Sequence, residues 1–102
     1  MVNIEERAAL LAAVERRVPP GCVSVWLTGS RAKGTQRPDS DWDVLVLHPD
    51  APNGEREVFD RGTFGEPMPD GTEIDLIVAH PDRLRTDHRY FADCRLFGIR
   101  LR

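Results

Sequence analysis

Apolar side chains recur at helical spacing near the start of the chain. Ile4, Ala8, Leu11, Val14 and Val18 follow at steps of four, three, three and four and form one stripe. That spacing predicts a helix with its dry face along those residues. Asn3 followed by Glu6 has the pattern of a capping box, with Asn where Ser or Thr is usual. Pro19-Pro20-Gly21 ends the helix, because proline cannot continue the hydrogen-bond ladder and glycine accepts the turn. The period then changes. Residues 22–27 read as a strand, with Val23, Val25 and Leu27 on one face. Thr28-Gly29-Ser30 breaks that pattern, and residues 31–33 suit one helical turn before Gly34. Residues 35–40 are polar, contain Pro38, and read as loop. Residues 43–47 are apolar after Asp43, as in a strand covered on both faces.

Residues 49–72 carry no clear period. They hold Pro49, Pro52, Pro67 and Pro69 together with Gly54, Gly62, Gly65 and Gly71. Residues 55–60 suit a short helix or a strand, and Pro69-Asp70-Gly71 is a turn signal. Residues 73–79 form a third clear strand. Pro81-Asp82 reads as a helix entry, with Asp82 as cap and a polar helix reaching to about residue 94. Residues 97–101 suit a last short strand. This order predicts an α+β fold of two layers, a small mixed sheet with helices packed on it.

Composition narrows the class. The 102 residues, 40% hydrophobic and 30% charged, fit one soluble domain spanning residues 1–102. No apolar run approaches the ~20 residues that span a bilayer, so a membrane location is not expected. The first residues lack the basic-then-apolar order of a signal peptide. A net charge of −3 argues against broad nucleic-acid binding, which needs a basic face. Cys22 and Cys94 lie far apart without His or Cys companions, which excludes a zinc site and points to a reducing cytoplasm.

Three features carry candidate chemistry. Gly29-Ser30 follows a strand and opens a helical turn, a place where free backbone N–H groups bind phosphate. Taken alone it is equally a plain turn. Asp41 and Asp43 flank Trp42, so in a strand the two carboxylates share one side and Trp42 faces the other. Adjacent carboxylates repel unless a cation or a proton offsets them, and Mg²⁺ takes a few carboxylates plus water and phosphate oxygens. A solvated acidic loop accounts for Asp39 but not for Asp43, which leads into an apolar strand. Asp75 is a charge inside a run that otherwise reads as core, with Glu73 on the same side nearer the strand's start. If the two strands are neighbours, Asp75 joins Asp41 and Asp43. Three acids, two cations and a phosphate-binding turn are the parts of in-line phosphoryl or nucleotidyl transfer.

Leu27-Thr28-Gly29-Ser30, ten residues, then Asp41-Trp42-Asp43-Val44 resembles the signature of the nucleotidyltransferase superfamily related to DNA polymerase beta. Ser40 before Asp41 and the string Gly29-Ser30-Arg31-Ala32-Lys33-Gly34 are similar to its minimal nucleotidyltransferase branch. The likeness covers roughly residues 23–78, with the ends matching in element order only. One departure lies in residues 49–72, rich in proline and glycine where many relatives have a clear helix. The resemblance implies that Gly29 and Ser30 hold the phosphates of an NTP, ATP being favoured. Asp41 and Asp43 would bind two Mg²⁺ ions, and Asp75 would bind the catalytic ion and help activate the attacking hydroxyl. Lys33 and Arg31 would offset triphosphate charge, and Ser40 joins them as a nucleotide-binding residue. Read without the resemblance, both cations are solvent-exposed residues on a helical turn.

Three functions follow from that resemblance. The first is Mg²⁺-dependent transfer of NMP to a hydroxyl, with a HEPN-like toxin as the protein partner that supplies it. The second is an antitoxin that neutralises such a partner by contact alone. The third and weakest is modification of a small drug-like acceptor, for which a homodimer would have to supply the missing wall. Outside the motif, His48, His80 and His88 read as structural or solvated, and Trp26 and Trp42 as packing residues. Arg83, Arg85, Arg89, Arg95, Arg100 and Arg102 read as a solvated face rather than a partner surface.

Overall fold

The computed structural model describes residues 2–51 and 60–102. Helix α1 (Ile4–Arg17) starts at the expected capping box: Glu6 N–H donates to Asn3 Oδ1 at 2.8 Å and Asn3 N–H to Glu6 Oε1 at 3.0 Å. Its buried face differs from the expected stripe. Leu10, Ala13, Val14 and Val18 are buried, whereas Ile4 is 87% exposed and Ala8 lies in solvent. Arg7, one turn before Leu10, is exposed and its guanidinium donates to the Leu101 carbonyl, so a charged residue stands in line with Leu10 and Val14 at the edge of that face.

Five strands form one sheet: β1 (Ser24–Thr28), β2 (Trp42–Leu47), β3 (Asp60–Pro67), β4 (Glu73–Ala79) and β5 (Ile99–Arg100), in spatial order β3-β4-β2-β1-β5. β2 and β4 are parallel and the other neighbours antiparallel, giving the mixed sheet that the element order predicts. β3 has no counterpart in the sequence reading. The alternative of helix or strand for residues 55–60 lies outside the described residues except for Asp60, where β3 begins. β1 starts at Ser24, two residues later than the apolar run, and Val23 is left 55% exposed before it. The turn at residues 69–71 is present: Gly71 N–H donates to the Met68 carbonyl at 2.8 Å, and Gly71 has φ +87°.

Strand alternation divides the sheet into two faces. Val25, Leu27, Val44, Val46, Ile74, Leu76 and Val78 pack with α1, and Trp42 lies among them. Leu45, Leu47 and Ala79 pack with Phe91 and Cys94 of α3 (Arg89–Phe97) on the other face. β2 is thus covered on both sides over most of its length, which is why it reads as a continuous apolar run.

The single polar helix expected from residue 82 to about 94 is two elements. A 3₁₀ turn spans Pro81–Arg85, and α3 begins at Arg89. The cap of the first is His80 rather than Asp82: His80 Nδ1 accepts from Asp82 N–H at 3.1 Å. Thr86 ends the turn, its N–H and hydroxyl both donating to the Arg83 carbonyl, at 3.1 and 2.8 Å. His88 then caps α3 in the same manner, accepting from Tyr90 N–H at 3.2 Å. His48 completes the set, accepting from Asp50 N–H at 3.1 Å. All three histidines are structural. The arginines are not uniformly solvated either. Arg83 is 5% exposed with its guanidinium 5.0 Å from the Phe91 ring, and Arg95 reaches back to the carbonyls of Leu84 and Thr86.

Candidate active site

The sheet is uncovered at one end, where β1 stops and β2 and β4 begin. The two antiparallel and parallel ladders meet there in one register. Thr28 of β1 lies opposite Asp43 of β2, and Asp43 lies opposite Asp75 of β4. All three side chains are on the α3 face, since each is in phase with Trp26, Leu45 or Ile77. Trp42 is on the opposite face, 3% exposed, with its indole N–H donating to Thr72 Oγ1 at 2.8 Å. It faces away from the acids, as the strand alternation requires.

Asp43 and Asp75 are half-buried, and Asp41 is exposed at the entry to β2. Burial pushes the Asp43 carboxyl up to about 6, with the negative charges of Asp75 and then Asp41 adding to the rise. Among the described residues no three His, Cys, Asp or Glu side chains are gathered closely enough to enclose a metal ion. The strand register sets Asp43 and Asp75 side by side, and Asp41 lies at the exposed rim. A carboxylate pair held near solvent and destabilised by its own charge fits a hard divalent cation, which would draw the oxygens together.

Gly29 opens the short helix α2 (Gly29–Lys33) directly against this pair. A Cβ at this position would sit 2.3 Å from Asp43 Oδ2, and the backbone has φ +72°. Only glycine satisfies both conditions. Thr28 precedes it at the N-cap, a place where a threonine hydroxyl usually accepts from the helix's own N–H groups. Here it makes no such bond. Its Oγ1 donates to the Asp43 carbonyl at 3.2 Å and lies 2.9 Å from the Tyr90 hydroxyl. The first turn of α2 therefore has no side-chain cap, and the N–H groups after Gly29 keep their capacity for an anion.

The other expected residues are placed differently. Lys33 pairs with Asp93 of α3 at 2.9 Å on the α2 side of the site. Arg31 turns to the loop: its Nε and Nη2 donate to the Ser40 carbonyl at 3.0 and 2.9 Å, and its guanidinium stacks 4.0 Å from the Trp42 ring centroid. Ser40 Oγ accepts from Arg37 N–H at 2.8 Å, closing the turn before Asp41. A groove of about 600 Å³ lies on the far side of Asp41, lined by Asp39, Asp70 and Glu73 among others. Sequence reasoning missed Tyr90. Its phenol is buried beside the site, and desolvation, with smaller contributions from Asp43 and Asp75, raises its ionisation well above the usual range. An aromatic residue in the first turn of a polar helix gave no signal of this; only the fold brings it to Thr28.

The chain belongs to the nucleotidyltransferase domain family, whose model matches residues 8–66, more than half of its length. Gly29, Ser30, Asp41 and Asp43 fall within that match, and Asp75 lies beyond it, delivered by the β2–β4 register. The fold is also similar to a chain in the crystal structure of the toxin-antitoxin with AMP-PNP, with a TM-score of 0.58 and 18% identity over 94% of this chain and 72% of that one. At that identity the likeness is one of fold. Among curated proteins none matches the chain. Among the described residues no helix is long and apolar enough to cross a membrane.

Proposed function

We propose that this domain, spanning residues 1–102, is an Mg²⁺-dependent nucleotidyltransferase that moves AMP from ATP onto a hydroxyl of a partner protein in the cytoplasm. The observation that carries the reading is the Asp43–Asp75 pair in register across β2 and β4, with Gly29 pressed against the Asp43 carboxylate. In this reading the uncapped N–H groups after Gly29, together with the Ser30 side chain, bind the phosphates. Lys33 exchanges its exposed partner Asp93 for triphosphate charge. Arg31 and Ser40 hold the loop that presents Asp41. Two Mg²⁺ ions held by Asp41, Asp43 and Asp75 would neutralise the triphosphate and favour ionisation of the acceptor. The acceptor oxygen forms its bond to the α-phosphorus, the bond from that phosphorus to the β-bridging oxygen breaks, and pyrophosphate leaves. In this reading Asp75, in register beside Asp43, takes the acceptor's proton.

A protein acceptor is favoured over a small one because the groove beside Asp41 is an open acidic surface rather than an enclosing pocket. The fold's likeness to a chain from a toxin-antitoxin crystal structure with AMP-PNP supports the same partner class, a HEPN-like toxin offering a tyrosine, serine or threonine hydroxyl. One observation favours a second reading, neutralisation of that toxin by contact alone. Leu96 and Phe97 at the end of α3 are 74% and 50% exposed, an apolar step beside the Lys33 corner. Incubation with ATP labelled at the α-phosphate, Mg²⁺ and lysate of the source cell separates them. Transfer predicts a labelled protein band that is lost with Asp43→Asn. Neutralisation predicts a stable complex, equally tight with Asp43→Asn, and no band.

A further inference from the structure

Trp42 is 3% exposed, and an indole N–H so buried needs an acceptor. It finds one on the turn before β4, Thr72 Oγ1 at 2.8 Å. Each bond in this series has a fixed direction. An indole nitrogen only donates, so Thr72 accepts, and the single proton of the Thr72 hydroxyl goes to Asp70 Oδ1 at 2.6 Å. The same Asp70 oxygen accepts from Thr72 N–H at 3.0 Å, an Asx turn. The Thr72 carbonyl accepts from Met68 N–H at 2.7 Å, so the turn is closed on itself and anchors the hydroxyl. The side-chain and backbone bonds from Thr72 hold the Asp70 carboxyl below the usual carboxylate range, and the Arg31 charge adds to them. The series therefore ends on an anion. Over the indole lies the Arg31 guanidinium, 4.0 Å from the ring centroid. Donation from the indole N–H leaves the ring richer in electrons and a better seat for that cation. Arg31 in turn donates through Nε and Nη2 to the Ser40 carbonyl. That carbonyl shares one rigid peptide plane with the N–H of Asp41, so holding it fixes the backbone from which the Asp41 side chain rises.

We infer that Thr72 is a positioning residue for Asp41: its hydroxyl, anchored on Asp70, holds the Trp42 indole in the orientation on which Arg31 rests, and Arg31 sets the Ser40–Asp41 peptide. The inference rests for its purpose on the reading of Asp41 as a metal ligand, but the coupling from Thr72 to Arg31 is testable without any ligand. A role in packing alone would act through the shape of the side chain, which Thr72→Val keeps. A role through the hydroxyl is lost in Thr72→Val and kept in Thr72→Ser.

The experiment uses the full chain and two readouts. The first is exchange of the Arg31 Nε–H with water, followed by NMR without ligand, which reports whether Arg31 still holds the Ser40 carbonyl. Thr72→Val speeds it about three- to fivefold, part of the worth of one net hydrogen bond, and Thr72→Ser stays within about twofold of wild type. The second is direct binding of Mn²⁺, standing in for Mg²⁺ and read from the EPR signal of the free ion. Thr72→Val weakens it by a similar factor, and Thr72→Ser does not. Unchanged Arg31 exchange in Thr72→Val, or a Thr72→Ser variant as impaired as Thr72→Val, overturns the inference. Wild-type protein that binds no Mn²⁺, with the exchange pattern as expected, overturns the metal reading and leaves the Thr72–Arg31 coupling standing. Should Thr72→Val not fold, a cycle on Trp42→Phe decides. That variant lacks the indole N–H, so adding Thr72→Val to it leaves both readouts where Trp42→Phe alone puts them. A further loss on adding Thr72→Val shows that the hydroxyl acts by another route and overturns the inference.

Discussion

The guanidinium of Arg31 lies over the indole of Trp42, 4.0 Å from its centroid, while two of its nitrogens hold the carbonyl of Ser40. One side chain thus links α2, the start of β2 and the loop that leads to Asp41. Lysine cannot replace it, because an ammonium neither stacks as a plane nor offers two donors in a fork. Arg31→Lys and Arg31→Ala are both expected to lose about 1–2 kcal/mol of stability in urea titrations, from charged hydrogen bonds and stacking. Transfer should fall with them through displacement of Asp41. A lysine variant with wild-type stability and weaker nucleotide binding would instead return Arg31 to the phosphates.

Asp43→Asn should abolish transfer and raise the melting temperature of the ligand-free protein at neutral pH. The carboxyl of Asp43 is pushed up to about 6 by burial and by Asp75 and Asp41, from 3.8. The folded state therefore holds that proton more firmly than the unfolded chain. The stability this contributes is fully present below pH 3.8 and is lost as pH rises through about 6. Melts of both proteins across pH 4–7 should show the gap opening towards neutrality and closing in acid. Asp39→Asn, on the exposed loop, should follow the wild type in both respects.

Gly29→Ala should destabilise by about 2 kcal/mol or more, combining a left-handed backbone with a Cβ driven into the Asp43 carboxylate. The two contributions separate in a cycle with Asp43→Ala, which removes the obstructing oxygen but not the backbone strain. Part of the loss should return in the double variant. Full additivity would mean that Gly29 does not confine Asp43.

Mg²⁺ and ATP should stabilise the protein together more than the sum of each alone. Cation binding relieves the repulsion within the acid pair, and a ligand at about 100 times its dissociation constant adds ~2.7 kcal/mol. Thermal melts with each component, with both, and with the other NTPs measure this. Strictly additive shifts would remove the case for a joint metal and nucleotide site.

The sequence exposed the parts of the site that lie in one segment each. Gly29, Asp43 and the strand around Asp75 were legible because glycine and charge stand out against apolar runs of fixed period. Pairing of β2 with β4 was legible only as a condition, since parallel neighbours leave no local signal. β3 was hidden because Gly62, Gly65 and Pro67 break any period, and its ladder to β4 is irregular between Thr63 and Pro67. The inward face of α1 was misplaced because Ile4 and Ala8 share the helical spacing of Leu11 and Val14 yet face solvent, while Arg7 stands in line with Leu10 and Val14. Tyr90 was invisible for a related reason: its partner Thr28 is remote in sequence, and nothing local marks a phenol that reaches a strand end.

The Asp43–Asp75 register has a consequence for how the chain finds its fold. Slipping β4 by one residue against β2 would turn every side chain of that strand to the other face. Asp75 would then enter the layer now filled by Ile74, Leu76 and Val78, and those three would leave it. A buried, unpaired carboxylate in that layer is costly, so misaligned pairings of the central strands are disfavoured from both sides of the sheet. The acid whose charge helps raise the Asp43 carboxyl thus also acts as a proofreading mark during assembly, and replacing it with an apolar residue removes that mark along with the charge.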